Sequence, residues 1–157
     1  MTFQKQKVIV ISNGMGSQSK LIPLQLYEKH PLLKEFWEGK PIIINIFADT
    51  GDEPDFIYKD IIEYQNYLKD HNYPPLIITN RHETYHITEK RMTQYYINHH
   101  IVLTRQNRHC TDKFKIRVMK KYLKRFFFQK FLVEHFDEIP EVYRSLQNTL
   151  KNNFIIF

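Results

Sequence analysis

The chain has 157 residues, of which 42% are hydrophobic, 15% aromatic and 25% charged, a size and composition that suit one packed domain and exclude a disordered polymer. Its formal charge of +6 fits a polyanionic partner such as a nucleotide or nucleic acid, and most of the excess falls between Arg105 and Lys130. A single cysteine, Cys110, excludes an intrachain disulfide and a CxxC metal or redox pair, and no apolar run approaches membrane-spanning length.

The opening MTFQKQKVIVISNG lacks the pattern of a secretory leader, because its apolar run is short and turns directly into a glycine-containing loop, so the chain is expected in the cytoplasm. The run KVIVIS, Lys7 to Ser12, is β-branched and almost uninterrupted, which predicts a strand buried on both faces. The small, polar stretch NGMGSQS follows, with two of the four glycines in the chain. Leu21, Leu24 and Tyr27 then recur at helical spacing, and Pro23 places the helix start near Ser19 if it is to lie in the first turn.

A second buried strand is predicted over PIIINIFA at 41–48, ending in DTGDEP. Residues 55–70 carry an apolar stripe of Phe56, Ile57, Ile61, Tyr64 and Leu68, the mark of an amphipathic helix, with Asp52 and Glu53 as acidic residues ahead of it. PLIIT at 75–79 predicts a third strand. Alternating strands and helices imply parallel pairing through right-handed crossovers. Between 80 and 107 the pattern weakens, with a helix expected over 89–98 and a short strand over 101–103. A basic amphipathic helix is expected from Asp112 to Lys130, with Phe114, Val118, Tyr122 and Phe126 on one face, and a last helix over 137–148. The chain therefore reads as a single α/β domain over 1–157. Its open, mainly parallel sheet is flanked by helices, with a core at 7–125 and a helical C-terminal part at 126–157.

Three segments have the makings of a site. A loop between a strand's carboxyl end and a helix start presents unpaired backbone N–H groups, the helix dipole adds positive potential, and glycine lets a ligand approach the backbone. Ser17 and Ser19 would donate hydroxyl hydrogen bonds to phosphate oxygens. The loop is neither GxxxxGK[ST] nor GxGxxG. The turn Asp49-Thr50-Gly51 also follows a strand, where ligands of open α/β sheets bind, and Asp49 can accept from a ribose or hold a metal with bound phosphates. Asp52 and Glu53 read as N-capping acids of the following helix. In the segment RHCTDKFKI, the cations Arg108, Lys113 and Lys115 oppose the dipole of a helix start, which suits a bound anion, and Cys110 among them would have a depressed pKa.

In this order the three segments resemble the PP-loop ATP pyrophosphatase superfamily, and most closely its phosphoadenosine-phosphosulfate reductase-like branch. One subgroup reads S-x-G-x-G-x-Q-S in the loop, matched from Ser12 to Ser19. It carries an ADTG-x-E element, matched by ADTGDEP, and R-x-C-T-x-x-F-K-I, matched by RHCTDKFKI. The resemblance covers residues 7–125 and implies an adenine nucleotide alpha hydrolase-like fold. It implies that Ser12, Gly14, Gly16, Ser17, Gln18 and Ser19 surround nucleotide phosphates. Asp49, Thr50 and Gly51 would lie near the adenosine or its magnesium, with Asp49 the metal ligand. Arg108, Cys110, Thr111 and Lys115 would close the site, with Lys115, Arg108 and Cys110 as the catalytic set. The implied activity is adenylylation of an acceptor at the ATP α-phosphate.

Departures from the family narrow that expectation. Gln18 stands where the general motif has Asp, and a neutral amide is a poorer magnesium ligand. Val118 replaces a frequent Pro. The family's C-terminal extension, with the tail cysteine of sulfonucleotide reductases, is missing, so reductase chemistry is not expected. The alternatives are a non-catalytic nucleotide or sulfonucleotide binding module, and a basic nucleic-acid-binding protein or nuclease using the stretch from Arg105 to Lys130. His82 and His86, with Glu83 beside His82, lie in a segment that reads as loop, so their spacing does not predict a metal site. The run FFFQKF at 126–131 is a candidate homodimer surface if it stays exposed.

Overall fold

The computed structural model describes residues 7–102, 110–134 and 154–156. Its order is strand β1 (Val8–Ser12), helix α1 (Ser17–Tyr27), a 3-10 turn (Pro31–Leu33) running into α2 (Lys34–Trp37), β2 (Ile42–Asp49) and α3 (Asp55–Asp70). Then come β3 (Ile77–Asn80), α4 (Arg81–Tyr85), α5 (Met92–Asn98), a π-helical segment (Cys110–Ile116), α6 (Arg117–Glu134) and β4 (Phe154–Ile156). The strands form one open sheet in the order β3-β2-β1-β4, with β1 parallel to both neighbours. Val8 pairs with Ile42 and Ser12 with Ile46 along β2, and Val8 with Phe154 along β4. The architecture is α/β: a small parallel sheet with flanking helices and a helical segment late in the chain.

The sheet forms where the sequence places its longest β-branched runs. Ile9, Val10 and Ile11 are at most 1% exposed, which matches a strand buried on both faces. Each such side chain contributes roughly 1.5–3 kcal/mol by leaving water. By packing, the described residues fall into two compact units. The first holds residues 7–47, 55–77 and 154–156, and the second 48–54, 78–102 and 110–134. Two apolar clusters fill the first unit. One gathers Met15, Phe47, Ile61, Tyr64, Leu68 and Leu76; the other joins Ile9, Ile11 and Leu26 to Phe36 and Trp37. In the second unit Tyr96, Phe114, Val118, Met119, Leu123 and Phe127 are buried.

Several expectations need correction. Pro23 lies well inside α1 rather than in its first turn, because the helix begins at Ser17. Residue 23 cannot donate to the Ser19 carbonyl, and the ring is held there by burial. The segment after β3 is a helix, not a loop: the Asn80 side chain accepts from the Glu83 N–H and starts α4, and His86 ends it at φ 54°. Ile101 and Val102 are not in a strand, and Leu103 lies outside the described residues. The expected basic helix is divided into a π-helical segment from Cys110 and an α-helix from Arg117. A π turn takes up an extra residue. The buried line accordingly runs through Phe114, Val118, Met119, Leu123 and Phe127, leaving Tyr122 and Phe126 half-buried. In the FFFQKF run Phe127 is buried and Phe128 is 37% exposed. Residues 154–156 form a strand within the part expected to be helical. The expected helix over 137–148 lies outside the described residues.

Candidate functional site

The loop after β1 is built on one buried asparagine. The Asn13 N–H donates to the Ile46 carbonyl at 2.8 Å, carrying the β1–β2 ladder one residue past the strand. Its side-chain Oδ1 accepts from the Met15 N–H at 2.8 Å, a local turn that reverses the chain. Its Nδ2 donates to Asn45 Oδ1 at 3.2 Å, Asn45 Nδ2 donates to the Tyr64 hydroxyl at 3.2 Å, and that hydroxyl donates to the Lys20 carbonyl at 3.2 Å. This chain of polar groups ties the loop to β2, α3 and the first turn of α1 beneath the surface. Burial raises the Tyr64 hydroxyl above the ordinary tyrosine range, with the Asn45 hydrogen bond opposing.

Met15 sits at φ 61° and is 1% exposed, packed among Phe47, Ile61 and Leu68. A side chain in the left-handed region costs about 1–2 kcal/mol, which core contacts offset. Gly14 and Gly16 show the opposite pattern. Neither has a positive φ, and an added Cβ would meet nothing nearer than Ser19 Oγ, at 4.0 and 3.7 Å. Backbone strain therefore does not require glycine at either position.

Gly16 is the N-cap of α1 and supplies no side-chain cap, and the first turn holds no acid. The end of the helix therefore keeps backbone donors and the positive end of its dipole. A groove of about 600 Å³ opens there, lined by Ile11, Ser12, Gly16, Ser17, Gln18, Ser19 and Ile22. Ser19 donates its hydroxyl proton to the Gly16 carbonyl at 2.9 Å, while Lys20 pairs with Asp60 at 2.9 Å. Of the residues expected around phosphates, the structure brings Ser12, Gly16, Ser17, Gln18 and Ser19 to this groove; Gly14 is exposed but not part of its lining.

The Asp49 turn, in the second unit, is closed on itself. Asp49 Oδ1 accepts from the Gly51 N–H at 2.8 Å, and Thr50 Oγ1 donates to Glu53 Oε1 at 3.0 Å. The Thr50 carbonyl accepts from the Met92 N–H at 2.9 Å. Asp52 accepts from the backbone N–H and hydroxyl of Thr93 at 2.6 and 2.9 Å. Asp52 is thus a capping acid, as its type suggests, but its hydrogen bonds cap α5, whose own N-cap Arg91 makes no side-chain cap bond. Gly51 has φ 77°, and a Cβ there would lie 2.4 Å from the Lys90 carbonyl oxygen.

Lys115 reaches Glu53 at 3.8 Å, so the structure joins the Asp49 turn to the π-helical segment. In that segment Cys110 is partly buried with Sγ 3.9 Å from the exposed Thr111 Oγ1, and Phe114 is buried. Asp112 holds Arg117 at 2.7 Å, and that bond raises the guanidinium pKa. Arg108 lies outside the described residues. His82 turns its Nδ1 to the Ile87 carbonyl, and among the described residues no group of three or more His, Cys, Asp or Glu side chains is placed to hold a metal ion.

Asn13, Asn45 and Tyr64 were not singled out by sequence. The usable signal was Asn45, the lone amide in an otherwise apolar strand run, since a buried amide needs partners. Arg81 was missed as well. Its guanidinium carbon lies 4.9 Å from the Tyr95 ring centre and 5.3 Å from that of Phe114, and its Nε is buried without a partner among the described residues. No family model, curated protein or solved structure matches the chain.

Proposed function

We propose that this chain binds an adenine nucleotide, with phosphates held by Ser12, Gly16, Ser17, Gln18 and Ser19 at the start of α1, and that it acts at the ATP α-phosphate to adenylylate an acceptor. The observation that carries the reading is the open N-terminus of α1 beside a groove lined by small polar residues. Backbone N–H groups and the helix dipole stabilise phosphate charge there, and glycine 16, which the backbone does not require, leaves room for the ligand. The α/β order and the resemblance to PP-loop proteins support an adenine nucleotide alpha hydrolase-like fold.

The chemistry at the α-phosphate rests on the resemblance. Lys115 would stabilise charge developing during transfer, with Arg108, Cys110 and Thr111 as its neighbours in the motif. As the resemblance implies, Asp49 would be the carboxylate that holds magnesium, next to the Gly51 N–H that its Oδ1 accepts. That fits the way this ion is held by one or two carboxylates plus substrate phosphates.

Thermal unfolding with millimolar ATP tests the binding. Saturation near 100 times Kd stabilises by about 2.7 kcal/mol, so the midpoint rises clearly. The rise is expected to shrink in Ser17→Ala/Ser19→Ala, and no shift with any adenine nucleotide would overturn the reading. Pyrophosphate release tests the reaction. Gln18 in the groove favours a second reading, binding without turnover, in which ATP stabilises the chain and is recovered intact.

A further inference from the structure

The cationic face of α6 is a second feature, independent of the nucleotide groove. Lys120, Lys124 and Arg125 are exposed and Lys121 is partly so. Residues 120 and 124, and likewise 121 and 125, are one helical turn apart, giving two adjacent rows of positive charge. No Asp or Glu occurs from 117 to 128. Arg117 is spoken for by Asp112 at 2.7 Å, whereas these four have no carboxylate within 4 Å among the described residues. Lys121 lies 4.1 Å from the Tyr85 ring centre, and Arg125 lies 3.4 Å from Nε2 of His86, the residue that caps α4, so these contacts to the face are made by a phenol ring and an imidazole rather than a carboxylate.

The opposite side of the helix decides the kind of partner. Val118, Met119, Leu123 and Phe127 are buried, at 0–9% exposure, and so are not available to lay into a lipid surface. The exposed ring of the row is Phe128, one turn past Lys124 and 37% exposed, a single aromatic rather than the buried cluster that anchors protein interfaces. Tyr85 has Lys121 at 4.1 Å and Arg81 at 5.2 Å from its ring centre, which leaves it poorly placed to stack on an unpaired base. What remains is a rigid row of like charges suited to a uniform polyanion. The four cations span about 8 Å of helix, a length over which duplex DNA carries roughly four to five phosphate charges.

We propose that this face of α6 binds the phosphate backbone of double-stranded nucleic acid without reading its sequence. The experiment uses the full chain and a labelled 15-base-pair DNA duplex, followed by fluorescence anisotropy from 50 to 200 mM salt. Four contacts predict a log–log salt slope of about −3.6. Lys120→Gln/Lys124→Gln is expected to halve that slope and to weaken binding at 0.1 M salt about 60-fold, since each contact contributes about 0.9 log units there. The control Lys59→Gln/Lys69→Gln removes the same charge from exposed positions of α3 and is expected to change affinity less than threefold. Circular dichroism of both variants checks that the fold is kept. Equal loss in the two variants, tighter binding to a single strand of the same length, or displacement by polyglutamate as effective as by unlabelled duplex would each overturn the proposal.

Discussion

The two strand-end turns, NGMGSQS after β1 and DTGDE after β2, look alike in sequence and differ in construction. In the Asp49 turn nearly every polar group has a partner inside the protein, and Gly51 is demanded both by its φ of 77° and by the Lys90 carbonyl against it. In the Asn13 loop the partners lie underneath, the rim is left open, and glycines 14 and 16 answer no backbone need. A glycine that packing requires and a glycine that packing tolerates carry different information. The second kind marks where something outside the chain can approach.

Substitutions can break this contrast, and the largest effect is expected at Gly51. Gly51→Ala forces a Cβ into a backbone oxygen at a strained φ and should destabilise the chain by about 3 kcal/mol or more in urea unfolding. Gly16→Ala should cost less than about 1 kcal/mol in the same measurement while reducing the ATP-induced thermal shift; equal costs at both glycines would erase the distinction. Next comes Asn45→Leu, which strands the Asn13 amide and removes a partner of the Tyr64 hydroxyl, at about 2 kcal/mol. Asp52→Ala uncaps α5 and should cost about 1 kcal/mol, with faster amide exchange in the first turn of α5. Lys115→Met loses a partly exposed pair with Glu53 and should change stability by less than about 1 kcal/mol. A large fall in pyrophosphate release on that small change would place Lys115 in the reaction.

The smallest effect concerns alkaline pH. Burial holds the hydroxyls of Tyr27, Tyr64 and Tyr96 neutral above the ordinary tyrosine range. Folded and unfolded chains are alike in charge at these positions below pH 10. Above about 10 the unfolded chain loses these protons first, so stability falls as pH rises. Tyr27→Phe, which removes a buried hydroxyl without a partner among the described residues, should leave neutral-pH stability unchanged or higher and soften that alkaline decline.

How much of this was legible depended on whether the cause was local. β1, β2 and α3 followed from apolar runs and a 3.6-residue stripe, and the groove residues from a strand-to-helix loop. The Asn80 cap of α4 is also local, but the short segment RHETY has no apolar stripe to mark it as a helix. The Asp52 cap of α5 joins residues 41 apart in sequence, and the Asn13–Asn45 bond joins residues 32 apart. No window of residues contains either. Tyr64 reads as one more apolar position of α3 because its ring is one, and its hydroxyl matters only once Asn45 and Lys20 are beside it. Pro23 is tolerated inside α1 because its burial, which no local pattern shows, offsets the ring clash and the lost hydrogen bond.

Met15 gives the loop a property that an all-glycine loop would lack. Its side chain is locked in the core while its backbone holds a left-handed turn, so the loop is ordered when the protein folds rather than when a ligand arrives. If the loop is the phosphate cradle proposed above, the entropy of shaping it is already spent, and calorimetric titration with nucleotide should show a small conformational entropy penalty. Loop rigidity and core integrity become a single quantity: whatever loosens the packing around Met15 is expected to weaken the proposed phosphate binding at Gly16 as well.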